Sequence, residues 1–160
     1  MSSSNNRIAG VVLLLCAWGT GLTWAQAPDS RPAAIEYVNR QYGFRFTLPA
    51  DWAGYTIVMR QWSGDGGKAM IRGPLLFFRN PHWTKEDPWE DIPIMIFTHQ
   101  QWRLVDNGTL NVSGAAPYGP GEMGRNRKYV FALPPRFSSD ENEGFREVID
   151  IVQGHPLHAF

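Results

Sequence analysis

Tyr42, Phe44, Phe46 and Leu48 alternate with Gly43, Arg45 and Thr47. A period of two puts the apolar set on one face of an extended chain, so Tyr42 to Leu48 predicts a strand with one buried face. Ile35 to Asn39 precedes it as a short edge strand. Pro49 stops the second strand, Asp51 and Trp52 make a turn, and Gly54 opens a further run through Tyr55, Ile57, Val58 and Met59. Gly64, Asp65, Gly66 and Gly67 break that run as a loop. Leu75 to Phe78 comes next. Ile92 to Phe97 follows, apolar nearly throughout, and predicts a central strand buried on both faces.

Helical signals come later. Thr98 with Gln101 three residues on has the spacing of a capping box, which predicts a short helix through Trp102 and Leu104, ending near Asn107 and Gly108. Leu110 to Val112 returns as a strand. A Gly- and Pro-rich loop from Gly114 to Gly124 leads to a buried run, Lys128 to Leu133, which Pro134 and Pro135 terminate. Phe145, Val148, Ile149 and Val152 fall at i, i+3, i+4 and i+7 and predict a helix that lays one apolar stripe on the sheet, with Glu147 pointing away. Gly154 is placed to end that helix in the left-handed conformation, and Pro156 prevents its continuation. Strands in hairpin-like succession with helices late in the chain predict an α+β fold, a mainly antiparallel β-sheet with helices packed on it.

The N-terminal segment bears on where this fold works. Arg7 sits in a short polar head, an uncharged apolar core runs from Ile8 to Trp18, and small residues lead to Ala25. That is the pattern of a cleavable export signal, with Thr23 and Ala25 small before a cut ahead of Gln26. The apolar core is too short to span a membrane, and Gly19, Thr20, Gly21 and Thr23 dilute the stretch after it. The chain divides accordingly into a signal peptide at 1–25, a flexible leader at 26–34 and a single α+β domain at 35–160. The expected location is secreted or periplasmic, with no stable membrane insertion after signal removal. Cys16 is the one cysteine, and it falls in the signal, so no disulfide staples the exported domain and packing must hold it. Basic and acidic residues balance at 15 each. Without a basic excess there is no electrostatic warrant for nucleic acid or an anionic membrane surface.

The stretch Tyr42-Gly43-Phe44-Arg45-Phe46-Thr47-Leu48-Pro49-Ala50-Asp51-Trp52 resembles the aromatic strand, proline and tryptophan that open domains similar to the photosystem II extrinsic protein PsbP and the nuclear transport factor Mog1. The resemblance implies an α/β/α sandwich around an antiparallel sheet. Its matched positions are core and turn residues, so it implies no functional residue. Asp91-Ile92-Pro93-Ile94-Met95 and the run from Asn126 to Pro134 look like segments of small exported bacterial proteins, which implies no activity.

No catalytic motif stands out, so candidate sites come from local concentrations of chemistry. His82, Glu86, Asp87, Glu90 and Asp91 lie with Trp83 and Trp89 between two buried runs. Carboxylates suit a hard cation, and two neighbouring ones split into acid and base when one is desolvated. His82, Glu86, Asp87 and Glu90 are the candidate metal ligands. Thr84 followed by Glu86 and Asp87 also reads as a helix start, where acids complement the dipole. His99 is placed to reach a cleft. His155 and His158 are three apart but flank Pro156 on a fraying tail. Ser63 lies in a glycine-flanked loop without the Gly-x-Ser-x-Gly elbow.

Among the aromatics, Trp52 and Trp102 read as core. Trp62, Trp83 and Trp89 in loops, with Tyr118 in the Gly/Pro-rich segment, are the candidate ligand-binding residues, because an aromatic ring offers a partner a flat apolar face with a polar edge. Glu122, Arg125 and Arg127 are polar partners for Tyr118. Arg125, Arg127 and Lys128 form a basic knot that is a weak anion site, since strand alternation sends Arg127 and Lys128 to opposite faces. These features predict a non-enzymatic binding or accessory module, needing no cofactor, for a protein or glycan of the cell envelope. The alternative is a metal-dependent or acid/base hydrolase built on the His82 to Asp91 loop with His99.

Overall fold

The computed structural model describes residues 33–112, 116, 118–137 and 142–160, within the unit Pro32–Phe160. The expected signal peptide, the expected leader through residue 32, and position 113 with positions 114, 115 and 117 of the expected Gly/Pro-rich loop lie outside the described residues. The described chain forms β1 (Ile35–Asn39), β2 (Phe44–Leu48), a 3-10 turn (Ala50–Trp52), β3 (Thr56–Asp65), β4 (Met70–Arg79), β5 (Ile92–Thr98), α1 (His99–Asp106), β6 (Gly121–Arg125), β7 (Tyr129–Leu133), α2 (Phe145–Gln153) and β8 (Leu157–Ala159). Every pairing between these strands is antiparallel. One sheet has the order β1-β2-β8 and the other β3-β4-β5-β7-β6. The architecture is α+β.

Strand alternation sorts the apolar side chains into two cores. Phe44, Phe46 and Leu48 of β2 face Leu76 and Phe78 of β4, Ile92, Ile94 and Ile96 of β5 and Phe131 of β7 in one cluster, so this core fills the space between the two sheets. Met95, Phe97, Val130 and Ala132, on the opposite parity, face Trp102 of α1, Leu110 and Trp62 in the second. β5 is the middle strand and supplies both cores, which is why its sequence is apolar without alternation. At the head of α1 the Thr98 side chain accepts from Gln101 N while the Gln101 side chain accepts from Thr98 N, the reciprocal cap its spacing predicts.

Several expectations need correction. β3 runs on to Asp65, so Trp62 and Ser63 are strand residues and the turn begins at Gly66. Trp62 is 4% exposed, because its indole lies across Gly73, its cross-strand partner on β4, and reaches β5. There it stacks on Phe97 at 4.5 Å, and Nε1 donates to the Ile96 carbonyl at 3.0 Å, beyond the last β4–β5 pair, Leu75–Met95. Leu110 to Val112 makes a single antiparallel bridge, Asn111 to Asp65. Gly121 to Gly124, expected as the end of a loop, lie in the edge strand β6, which a bulge between Glu122 and Gly124 makes hard to read by alternation.

The C-terminal region differs as well. Gly154 has φ −72°, and it is His155 that takes the left-handed conformation at φ 52°. The expected fraying tail is instead β8, paired to β2 from Leu157↔Phe46 to Ala159↔Phe44. The stripe of α2 is turned towards Glu147: Val148 and Ile151 are buried in the inter-sheet core, Val152 packs on it, and Phe145 and Ile149 line an outer groove instead. Glu147 does not point away. Its carboxylate accepts from Nε1 of the buried Trp52 at 2.7 Å, and that charge-assisted bond sets the helix's rotation.

Candidate functional site

One turn from each sheet meets at Asn126. The first, residues 40–43, joins β1 to β2 and is fixed by Asn39, whose Oδ1 accepts from Tyr42 N and whose carbonyl accepts from Gly43 N, each at 2.9 Å. The second, residues 126–129, turns β6 into β7: Asn126 Oδ1 accepts from Lys128 N and Tyr129 N, and Asn126 N donates to Tyr129 O, all at 2.9 Å. An Asn at the head of such a turn mimics a backbone turn with its own side chain. Asn126 Nδ2 then crosses to the other sheet and donates to the carbonyls of Tyr42 at 2.8 Å and Gly43 at 2.9 Å. Its own carbonyl accepts from His99 Nε2 at 2.7 Å. Gly43 sits at φ +76°, and a Cβ there would stand 2.8 Å from both Asn126 Nδ2 and the Phe160 carbonyl. Only glycine fits that approach.

The joined turns wall a cleft of about 530 Å³. Tyr42 and Tyr129 meet edge to face with centroids 5.4 Å apart and planes at 79°. Arg40, Arg127 and Lys128 line the same cleft, with Gln41, Ala159 and Phe160. Tyr42 also borders a second cleft of about 270 Å³ that carries Arg60 and Arg72. Among the described residues neither lining contains an aspartate or glutamate. Among the described residues none of these five cations takes part in an ion pair. Burial, with the neighbouring Tyr129 adding to it, holds the Tyr42 phenol above its ordinary 10.0.

The basic knot of the sequence is therefore redistributed. Arg125 leaves it by pairing with Glu122, Nε donating to Oε1 at 2.6 Å, and this bond lowers the Glu122 carboxyl. Arg127 and Lys128, expected on opposite faces, share one cleft because Asn126 makes a turn where alternation assumed a strand. Neither Arg40 nor Tyr42 is among the binding candidates that the sequence offers. The signal that points to them is the pair of asparagines, Asn39 and Asn126, each heading a turn rich in Arg, Lys and Tyr.

The residues singled out in the sequence are not gathered in one place. Trp62 is inside the second core, which corrects its expected position in a surface loop. Trp83 lies beneath Arg79, whose guanidinium is 3.8 Å from the ring centroid and whose Nε donates to Asp91 Oδ2 at 3.1 Å. Trp89 packs against His82 at 4.9 Å and donates through Nε1 to Asp87 Oδ2 at 3.2 Å. Tyr118 is 58% exposed beside a small cleft that includes Val105 and Leu110. Trp83 and Trp89 belong to the segment between Phe78 and Ile92, at the end of the five-stranded sheet away from Tyr129.

In that same segment the expected helix start is a turn closed by Asp87 N to Thr84 Oγ1 at 2.9 Å. Glu90 is buried and accepts from Asn142 Nδ2 at 2.8 Å, while Glu86 is exposed. His82, Glu86, Asp87 and Glu90 are thus not brought together as a ligand set. Among the described residues no group of three or more His, Cys, Asp or Glu side chains is arranged to hold a metal ion. No described helix is long and apolar enough to cross a membrane. No family model, curated protein or solved structure matches the chain.

Proposed function

We propose that this chain is an exported, non-enzymatic binding domain, built as a sandwich of the PsbP and Mog1 type, that takes an anionic ligand of the cell envelope in the Tyr42–Tyr129 cleft. The observation that carries the reading is the meeting of two tyrosine rings with Arg40, Arg127 and Lys128 in one cleft with no acid among its described lining residues. Cations that lack an internal partner form charge-assisted hydrogen bonds to carboxylate, sulfate or phosphate, and tyrosine supplies a flat apolar face with a polar edge. A volume of about 530 Å³ suits a small ligand or two sugar rings. The site differs from the aromatic surface expected from sequence, since Trp62 is enclosed and Trp83 and Trp89 are engaged with Arg79, His82 and Asp87. Export rests on Arg7, the Ile8 to Trp18 core and Ala25.

The test is calorimetric titration of the chain starting at Gln26 with oligogalacturonates and with polyglutamate peptides. Binding of one of these anions should be lost in Tyr129→Ala and in the double variant Arg127→Ala/Lys128→Ala, with the circular dichroism unchanged. Binding that survives both variants, or no binding by any anionic probe, overturns the reading.

A further inference from the structure

The basic surface does not stop at the first cleft. Tyr42 lines both clefts, the first with Arg40, Arg127 and Lys128 and the second with Arg60 and Arg72, so the two groups of cations adjoin at this residue. The chain carries as many acids as bases, yet the ion pairs among described residues lie elsewhere, at Glu36–Arg45, Arg79–Asp91 and Glu122–Arg125. A ligand with a single negative group would be satisfied by the first cleft and would leave Arg60 and Arg72 without a role.

Resting on the binding function proposed above, we infer that the ligand is a linear acidic polysaccharide of the uronic-acid class, laid across Tyr42 so that successive carboxylates meet the two groups of cations. Charge spacing favours this class. One carboxylate per sugar matches cations spread over two clefts, whereas a densely charged nucleic acid draws on a basic excess that a neutral chain does not have. Ring chemistry points the same way, because the apolar face of a pyranose packs on tyrosine while its hydroxyls reach the amides of Gln41 and Gln61. An acidic peptide is less well served. Its main chain seeks free backbone partners, whereas the amides of Tyr42, Lys128 and Tyr129 and the carbonyls of Tyr42 and Gly43 are already engaged by Asn39 and Asn126.

The experiment is a length series: mono-, tri- and hexagalacturonate titrated into the chain starting at Gln26 and into Arg60→Ala/Arg72→Ala, with maltohexaose as the neutral control. Affinity should rise about tenfold or more from the monomer to the hexamer, as expected when a second site is engaged by a tethered group. The double variant should lose that gain while monomer binding is kept, and maltohexaose should bind far more weakly. Equal affinity for monomer and hexamer overturns the extended ligand but leaves the single-cleft function standing. Preference for polyglutamate over hexagalacturonate, or equal binding of maltohexaose, overturns the uronate class. Failure of every anion to bind removes the functional reading with it.

Discussion

Asn126→Ala is the perturbation that bears most directly on how the site is held. The side chain makes four hydrogen bonds to backbone groups, two donated across to the Tyr42 and Gly43 carbonyls and two accepted from Lys128 N and Tyr129 N. A net worth of about 0.5–1.5 kcal/mol each gives about 2–6 kcal/mol for all four. The turns are only part-buried, so water replaces some of them, and the expected cost is about 2–4 kcal/mol. Urea denaturation of wild type and variant measures it: the midpoint should fall with the slope unchanged, since the surface exposed on unfolding is the same. Asn126→Asp is the sharper variant. It keeps the acceptor for Lys128 N and Tyr129 N but sets a carboxylate oxygen against two carbonyls, so at neutral pH it should cost at least as much as alanine. A loss within about 0.5 kcal/mol for Asn126→Ala, the range of an ordinary surface substitution, would show that Asn126 does not tie the two sheets together.

Three further outcomes rest on the packing and the titrating groups. Ile151→Ala should cost about 2–4 kcal/mol and Ile149→Ala under about 1 kcal/mol in the same denaturation assay, because only the first empties the inter-sheet core; equal losses would contradict the rotation assigned to α2. Gly73→Ala would drive a methyl into the Trp62 indole, so the indole must leave Phe97, and unchanged tryptophan emission and stability would refute that packing. Tyr42 and Tyr55 are held above 10.0 by burial, each beside another tyrosine. The folded state therefore holds these protons more tightly than the unfolded one, and their contribution is whole below pH about 10 and lost as pH rises through the folded values. Tyr42→Phe should flatten that alkaline loss, and an identical alkaline limb in the variant would count against it.

Elements whose stability comes from local pattern are legible in the sequence, and features set by long-range pairing are not. β2 and β5 follow from alternation and continuous apolarity, and the cap of α1 follows from Thr98 and Gln101 alone, because each signal lies within a few residues. β8 is hidden since a three-residue strand has almost no pattern of its own and exists by pairing to β2. The rotation of α2 misleads because a charged residue reads as outward, whereas Glu147 is turned inward by Trp52, 95 positions away in sequence. Trp62 is deceptive for a related reason. Its burial depends on a glycine on the neighbouring strand that leaves room for the indole. The candidate site is half visible: Arg127 and Lys128 stand out as cations, but their shared orientation comes from the Asn126 turn, and their juxtaposition with Arg40 and Tyr42 comes from contact between two sheets.

The proposed binding places an anionic ligand on Tyr42, where the two clefts adjoin. Nuclear magnetic resonance titration of the isotope-labelled chain starting at Gln26 with hexagalacturonate locates that ligand residue by residue. The largest amide shifts should fall in 40–43 and 126–129, with a second set in 60–61 and 72–73. Shifts concentrated instead in 82–91 or around Tyr118, with the two Asn-headed turns unmoved, would rule out binding on Tyr42.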